Sequence, residues 1–281
     1  MSGHVILDEV AARLDGPAPG DGQLAELAAW LPEAAGKLDL AAARDEAART
    51  GRSAVVAYRP GGPVLGLRCF PPGEATDVHA HAGWGIAHVL EGANRYERFA
   101  RLEDSEPYET AELTAGDTVW WTDPPGDVHR QTGTGDGAVE LVLLARDHLT
   151  LPERAARCLG TLAYDSLAQF YAPDVLLDAD VPKWRFQLQG GAAILDVVWR
   201  DELALPGVQV TSYRWMATVG GGVVVQREAR YDGDDGEHRW RDVHVLRVED
   251  GWIIEHAISC TGIWGPATIA RQAAEAPMVT R

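Results

Sequence analysis

Basic residues are scarce in this sequence of 281 residues, which has 25 Lys and Arg residues against 42 Asp and Glu residues. Only two of the bases are lysines, Lys37 and Lys183. The formal net charge of −17 argues against nucleic acid or an anionic membrane as the main partner, because both require a basic protein surface. We therefore expect no nucleic-acid partner, no membrane partner, and a small molecule as the substrate.

Cysteines and long apolar runs are also scarce. Cys69, Cys158 and Cys260 are too few and too scattered for a disulfide framework, and the sequence has no Cys-x-x-Cys pair to hold zinc. No apolar run approaches the roughly 18 residues that indicate a membrane span. The first 15 residues lack the basic start and the long apolar stretch of a signal peptide. These absences predict a cytoplasmic protein in a reducing compartment.

The first predicted domain covers residues 1–149. Apolar residues recur at helical spacing over 5–49, with breaks at Gly16–Gly20 and around Pro32. From 54 to 147 the sequence changes to short β-prone runs separated by Gly, Pro and Asp. Many short strands at this spacing are typical of an antiparallel sandwich or barrel, so we expect an all-β barrel preceded by helices.

The second predicted domain covers residues 150–281. Helical spacing returns over 151–172, and a further helix fits 192–205. Long β-prone runs then follow over 208–260, joined by Gly-rich or acidic turns that suit hairpins. Helices followed by a curved antiparallel sheet indicate an α+β domain.

The strongest chemical signal is a group of three histidines in the first domain. His79 and His81 are two residues apart on a predicted strand, so their side chains point to the same face. His129 comes 48 residues after His81, behind a Gly-Asp strand start and a Pro-Pro-Gly turn. Three imidazoles that converge inside a barrel would form a metal site with open positions for substrate and oxygen. Imidazole suits iron, copper, nickel and zinc, so the ligands alone do not name the metal.

Two motifs around these histidines resemble those of the cupin superfamily, whose fold is a double-stranded β-helix barrel. The first motif is H-x-H followed by a glycine, and the second is G-D…P-x-G-x-x-H. Their positions here are His79, His81 and Gly92, then Gly116, Asp117, Pro124, Gly126 and His129. The resemblance covers residues 54–147 and implies that the three histidines are the metal ligands.

The glutamate ligand of most cupins is replaced in this sequence. Its position falls at Gly85 or Ile86, and this loss is similar to the three-histidine, cysteine dioxygenase-like branch of the superfamily. Members of that branch also carry a Trp-Gly pair after the histidines, as Trp84-Gly85 does here. The resemblance implies Fe(II), O2 and a small organic substrate that bears a thiol or an amine. It also implies that Arg59 and Trp84 bind the substrate.

Candidates for proton transfer differ from those of this branch. The positions of its Ser-His-Tyr relay hold Glu140, Val142 and Leu144, so we expect a substrate other than free cysteine. His88 has the strand parity of Ile86 and is predicted to face the barrel interior, as a fourth ligand or a proton-transfer group. The alternative is a hydrogen-bonded histidine in the barrel wall.

The second domain resembles the nuclear-transport-factor-like superfamily, which includes SnoaL-type polyketide cyclases and ketosteroid isomerase. The matching segments are F-Y-A-P-D-V at Phe170–Val175, a helix start at Gly190–Ile194 and a D-G-W-I hairpin at Val245–Ile258. The resemblance implies a cone, a curved antiparallel sheet wrapped around helices, with an apolar pocket and a homodimeric assembly. His256 shares the parity of apolar residues and is predicted to be a general acid or base in that pocket. The alternatives are a core histidine with one hydrogen bond and a residue of the dimer interface.

Three functions therefore stay open. The first is a mononuclear non-haem iron oxygenase, whose second domain dimerises the enzyme or processes its product. The second keeps the metal as Zn(II), Ni(II) or Mn(II), which would act as a Lewis acid in an isomerase, lyase or hydrolase. The third is a non-catalytic protein that binds a small metabolite, because both folds host binding modules as well as enzymes.

Overall fold

The protein forms two compact units, Met1–Leu149 and Thr150–Arg281, each with its own sheet and helices. The computed structural model describes residues 2–14, 16, 19–51, 53–81, 83–122, 128–146 and 149–275. Pro124 and Gly126 of the second predicted motif lie outside these residues. No helix within the described ranges has the length and apolar character needed to cross a membrane.

Among the described residues, three helices precede the sheet of the first unit, as the helical spacing predicts. They are Gly3–Arg13 (α1), Asp21–Ala35 (α2) and Ala41–Thr50 (α3). The predicted break at Pro32 is wrong, because α2 continues through this residue. Leu31 and Ala34 on either side of the proline are at most 1% exposed, and their burial offsets the main-chain hydrogen bond that proline cannot donate.

Within the described residues, seven strands form the sheet of the first unit. They are Ser53–Tyr58 (β1), Val64–Phe70 (β2), His79–Ala80 (β3), Gly85–Phe99 (β4), Glu109–Thr114 (β5), Thr118–Trp121 (β6) and Val128–Leu144 (β7). Every pairing is antiparallel and follows the path β1-β2-β7-β4-β5, with β3 paired to β7 and β6 paired to β4. The predicted all-β domain is present, but its pairing does not close into a ring among the described residues.

The two faces of this sheet have different surroundings. One face packs against the helices, where Leu65, Ile86 and Leu141 join the apolar residues of α1 and α2 in one core cluster. Successive side chains of a strand alternate between faces, so Val89 lies on the other face. There it packs in a separate cluster with Tyr96. We call these the helix-packed face and the open face.

The helices of the second unit lie mostly before its main hairpins. They are Leu151–Thr161 (α4), Tyr164–Ala168 (α5), Gly191–Ile194 (α6), Arg200–Leu203 (α7) and Pro266–Glu275 (α8), with a π-helix at Leu195–Trp199 between α6 and α7. A capping box starts α4, because the main-chain N–H of Thr150 donates to Glu153 at 2.8 Å while the Thr150 hydroxyl accepts from the Glu153 N–H. The helix predicted over 192–205 is present as α6, the π-helix and α7, which follow one another directly.

Six strands form the second sheet in the part of the chain that the structure describes. They are Tyr171–Val181 (β8), Trp184–Gln189 (β9), Gln209–Ala217 (β10), Val223–Gly233 (β11), Gly236–Glu249 (β12) and Trp252–Cys260 (β13). The order is β10-β11-β12-β13-β8-β9, in which β8 and β13 run parallel and the other neighbours run antiparallel. The helix predicted over 151–172 is thus too long. Its last residues pair with β13, because Tyr171 lies opposite Ile253 in the sheet.

Candidate metal centre and buried polar cluster

The three predicted histidines converge on the open face of the first sheet. His79 on β3 lies directly opposite His129 on β7 in the antiparallel register, and His81 follows β3. Ring centroids are 4.5 Å apart for His79 and His129, 5.0 Å for His79 and His81, and 5.2 Å for His81 and His129. One nitrogen from each ring lies within 4.8 Å of the others. These three residues could hold a metal ion.

Hydrogen bonding identifies the nitrogen that His79 would offer to a metal. Its Nδ1 lies 2.8 Å from the main-chain carbonyl oxygen of Asp77, which can only accept, so Nδ1 carries the proton. Nε2 is then the basic nitrogen of the neutral ring. A carbonyl partner of this kind is typical of a metal-binding histidine, because it fixes the ring orientation. The described donor group consists of imidazoles without carboxylate or thiolate, which fits iron, copper, nickel or zinc.

Two aromatic rings wall the site. Trp121 stacks on His81 with ring centroids 5.4 Å apart, and Tyr96 stacks on His129 at 4.9 Å. The indole crosses Gly85, where a Cβ atom would lie 2.1 Å from the Trp121 ring. Glycine at position 85 therefore makes room for Trp121 to reach His81. Both aromatic residues are at most 4% exposed, so they exclude water from the ring faces that they cover.

A buried carboxylate lies on the same face as His129. Glu140 is fully buried and accepts hydrogen bonds from Asn94 Nδ2 at 2.5 Å and from Gln131 Nε2 at 3.0 Å. Burial raises the pKa of Glu140, and the two amide hydrogen bonds oppose that increase. Gln131 is two residues beyond His129 on β7, so these bonds brace the strand that carries the histidine.

His88 lies apart from the three histidines. His88 is two residues after Ile86 on β4, so both side chains lie on the helix-packed face, whereas His129 lies on the open face. The Nδ1 of His88 is 2.9 Å from the hydroxyl of Thr118, and burial lowers the pKa of the imidazole. These contacts favour the alternative, a hydrogen-bonded histidine in the sheet wall. The role of His88 as a fourth ligand or a proton-transfer group stays a prediction.

The two predicted substrate-binding residues also belong to the helix side of the sheet. Arg59 forms an ion pair with Asp8 of α1, with 3.0 Å between Nη2 and Oδ1. Trp84 is 4% exposed and packs in the core cluster with Ile86. The assignment of Arg59 and Trp84 as substrate-binding residues therefore stays a prediction, with both residues on the helix side of the sheet.

The sequence analysis missed Tyr96 and Arg98, which do lie on the open face. Arg98 is directly opposite His129 in the β4–β7 register, and its guanidinium carbon is 5.6 Å from the centroid of the Tyr96 ring. The register of β4 shifts twice over residues 89–93, so alternation counted from the histidine motif does not assign the second half of the strand to a face. Within residues 94–99 the side chains alternate regularly, and this alternation alone could have placed Tyr96 and Arg98 on one face.

In the second unit, His256 belongs to a chain of four buried polar side chains. The Tyr171 hydroxyl is 2.8 Å from His256 Nδ1, and His256 Nε2 is 2.9 Å from His244 Nδ1. His244 Nε2 is 3.0 Å from Asp242 Oδ1. An ionised carboxylate only accepts, so His244 donates to Asp242, and with neutral rings His256 donates to His244. Both nitrogens of His256 are thus engaged, which favours the core interpretation over the predicted acid or base role.

Arg227 links this chain to a second carboxylate. Its side chain is 1% exposed, with Nε 2.9 Å from Asp242 Oδ1 and Nη2 2.8 Å from Glu202 Oε2. Its Nη1 also donates to the Tyr164 hydroxyl. Trp199, at the end of the π-helix, stacks on Tyr164 with ring centroids 4.4 Å apart. The Arg227 guanidinium, the two carboxylates and the Tyr164 hydroxyl therefore satisfy one another inside the second unit.

A cavity of about 650 Å³ in the second unit borders this cluster, because its lining residue Trp240 donates from Nε1 to Asp242 Oδ2 at 3.0 Å. Trp240 and Trp264 line it together with Ile269 of α8. The described lining of this cavity contains neither His244 nor His256.

We expect the second unit to lose stability in mild acid. Burial, then the electrostatic interactions with His244 and Arg227, lower the pKa of His256 well below its ordinary value of 6.5. Below pH 6.5 the imidazole of residue 256 binds a proton in the unfolded chain but stays neutral in the folded chain. The free energy of unfolding should therefore fall by up to about 1.4 kcal/mol per pH unit as the pH decreases from 6.5. Urea unfolding at about pH 7, 6 and 5 measures this slope.

The matched variants for this experiment are His256→Gln and His238→Gln. The first removes the buried imidazole and should flatten the slope, whereas the second changes a histidine outside the chain of buried groups. An equal slope in wild type and His256→Gln would contradict the linkage to His256.

Comparison with known proteins connects the second unit to one family. A family model described as a SnoaL-like domain matches residues 153–256. A search of curated protein sequences gave no match. The second unit is therefore similar to SnoaL-like domains over most of its length.

Several solved structures align with part of the chain at low similarity. A cupin superfamily protein from Desulfitobacterium hafniense is 17% identical over 34% of this chain and 76% of its own, with a TM-score of 0.28. KdgF from a Halomonas species is 21% identical over 34% of this chain and 80% of its own, with a TM-score of 0.28. A protein of unknown function from Rhizobium leguminosarum is 20% identical over 40% of this chain and 96% of its own, with a TM-score of 0.31. The chemistry of the site has to be argued from its own residues.

Proposed function

We propose that the first unit is a mononuclear non-haem iron oxygenase of the cupin type, in which His79, His81 and His129 hold Fe(II). The observation that carries this proposal is the convergence of three imidazoles within 4.8 Å, in a described donor group without a carboxylate. Three protein ligands leave coordination positions for a substrate and for O2. The substrate is a small organic molecule that offers a thiolate, an amine or a carboxylate as its donor.

The iron, when bound, would supply the activation of O2, while the protein supplies geometry and a sheltered site. The Asp77 carbonyl accepts from His79 Nδ1 and so directs Nε2 of that ring toward the shared centre. Trp121 and Tyr96 cover one face each of His81 and His129 and keep water from those faces. Such shelter limits side reactions of a reactive centre.

Oxygen consumption tests the proposal. The full chain, purified without oxygen and reconstituted with Fe(II), is placed in an oxygen electrode with a panel of small thiols and amino acids. We expect oxygen uptake that starts when one of these compounds is added. The same preparation of His129→Ala should show background uptake only, because its metal site is incomplete.

The other two functions predict different results in the same preparation. Stoichiometric zinc without oxygen uptake would contradict the oxygenase and favour Lewis-acid catalysis by Zn(II), with Ni(II) or Mn(II) as further metals for an isomerase, lyase or hydrolase. Absence of any metal after reconstitution would contradict both and favour a protein that binds a small metabolite.

A further inference from the structure

The cavity of about 650 Å³ in the second unit lies against the outer face of the sheet, the face opposite to Arg227. Arg227 and its β12 partner Asp242 project toward the helices, where Arg227 bonds to Glu202 of α7. Side chains alternate along a strand, so the neighbours Glu228 and Arg241 project the other way, and both line the cavity. The strands therefore separate the cavity from the buried charge cluster.

Helix α8 forms the other wall of the cavity. Its start is held beside β12, because the main-chain N–H of Trp264 donates to the Arg239 carbonyl at 2.7 Å and the Trp264 carbonyl accepts from the Arg239 N–H at 3.0 Å. Ile269, Gln272 and Ala273 line the cavity, and their spacing places them on one face of the helix. None of the described residues of α8 is buried, so open volume lies under this face in place of a packed core. The volume is within the range of pockets for small ligands, roughly 300–1,000 Å³.

Positive charge dominates the lining. Arg230, Arg239 and Arg241 line the cavity, together with one described acidic residue, Glu228. Arg230 and Arg239 share the carboxylate of Glu237, through Nη1 at 3.0 Å and Nε at 2.6 Å. Two of the three guanidinium groups thus divide one anion between them. In a chain with a net charge of −17, this lining is a local site that favours an anionic ligand.

Arg241 has a donor that no described residue satisfies. Its Nη2 donates to Glu228, whereas its buried Nε has no hydrogen-bond partner among the described residues. An unsatisfied buried donor is costly, so a rearrangement that gives it an acceptor is favoured. The side chains of Arg241 and Glu228 are 34% and 44% exposed. A pair with this exposure contributes little free energy, and an anion in the cavity can compete with it.

We propose that this cavity is a binding site for a small aromatic carboxylic acid. Arg241 binds its carboxylate, because hydrogen bonds between a guanidinium and a carboxylate are charge-assisted. Trp264 and Ile269 supply apolar walls, and the indole offers a surface on which an aromatic ring can stack. The site belongs to the second unit and needs no metal, so it is independent of the proposed oxygenase.

Titration calorimetry with the full chain tests this inference. The probes are 2-naphthoate and 2-naphthalenemethanol, which share a naphthalene ring and differ in a carboxylate against a hydroxymethyl group. Wild type should bind the carboxylate more tightly. In Arg241→Gln the affinity for 2-naphthoate should fall by about tenfold, the loss expected for a partly exposed hydrogen bond to a charged group. The affinity for the alcohol should stay unchanged.

The matched control for this variant is Arg247→Gln. Arg247 lies on the same strand as Arg241, is 51% exposed, and is outside the described lining of the cavity. It should bind both probes as wild type does. Equal affinity of wild type for the two probes, an undiminished carboxylate preference in Arg241→Gln, or an equal loss in Arg247→Gln would overturn the inference.

A second pair of variants locates the binding in the cavity. Ala273→Trp places a large ring in the cavity from α8 and should abolish the binding of both probes. Ala274→Trp changes an exposed residue of the same helix outside the described lining and should bind as wild type does. Undiminished binding of 2-naphthoate to Ala273→Trp would assign the carboxylate to another part of the chain, such as the metal site of the first unit, and would overturn the inference. Absence of binding to wild type would overturn it as well.

Discussion

Replacement of His129 by alanine is expected to abolish metal binding and to leave the fold intact. His129 is 1% exposed and lies between the ring of His79 and the stacked ring of Tyr96. Its loss leaves two imidazoles, whereas protein metal sites that keep an open position use about three ligands. Metal analysis after reconstitution and dialysis should show a fall from about one ion per chain to background. Circular dichroism should show an unchanged content of strand and helix.

The control for this experiment is His88→Ala. It removes an imidazole from the same sheet, but from the helix-packed face, where Nδ1 bonds to the Thr118 hydroxyl. The variant should keep the metal content of wild type. Retention of the metal in His129→Ala would refute the three-histidine assignment, and loss of the metal in His88→Ala would refute its placement on the far face.

Replacement of Arg227 by methionine is expected to lower the free energy of unfolding of the second unit by about 3–5 kcal/mol. Methionine fills much of the volume but carries no charge, so Asp242 and Glu202 stay in the interior without their shared cation. The Tyr164 hydroxyl also loses the donor at Nη1. An uncompensated buried carboxylate costs far more than the net contribution of a paired one. Chemical denaturation of wild type and variant measures the difference.

The matched control is Arg247→Met on β12, in the same sheet. Arg247 pairs with Glu249 and Glu255, but all three side chains are at least half exposed. Exposed pairs of this kind contribute about 0–1 kcal/mol, so the control should unfold close to wild type. Equal stabilities of Arg227→Met and Arg247→Met would contradict the description of Arg227 as the buried centre of a charge cluster.

The metal group could be predicted from the sequence because it depends on local rules. His79 and His81 share a face through the two-residue period of a strand, and the motif resemblance supplied His129 as their partner. The position of His88 shows where these local rules stop. Alternation along β4 correctly placed His88 on the same face as Ile86. Alternation does not tell which face of the sheet packs on helices, and α1 and α2 cover the face that carries Ile86. The register shifts within β4 then concealed Arg98.

The partners of His256 depend on contacts far apart in the sequence. Asp242 and His244 share a face on β12 by parity, and this pattern could have been read from the sequence. Tyr171 comes from β8, which pairs with β13 in parallel and lies 85 residues away from His256 in the chain. Local spacing even predicted Tyr171 within a helix. Only the tertiary pairing of the second sheet joins these groups.

The metal content of the wild-type chain, purified without oxygen, tests the central claim most directly. Elemental analysis should find about one iron per chain, as expected for a mononuclear site with three imidazole ligands. Stoichiometric zinc in place of iron would contradict the oxygenase. A chain without metal, even after reconstitution with Fe(II), would contradict the metal site itself.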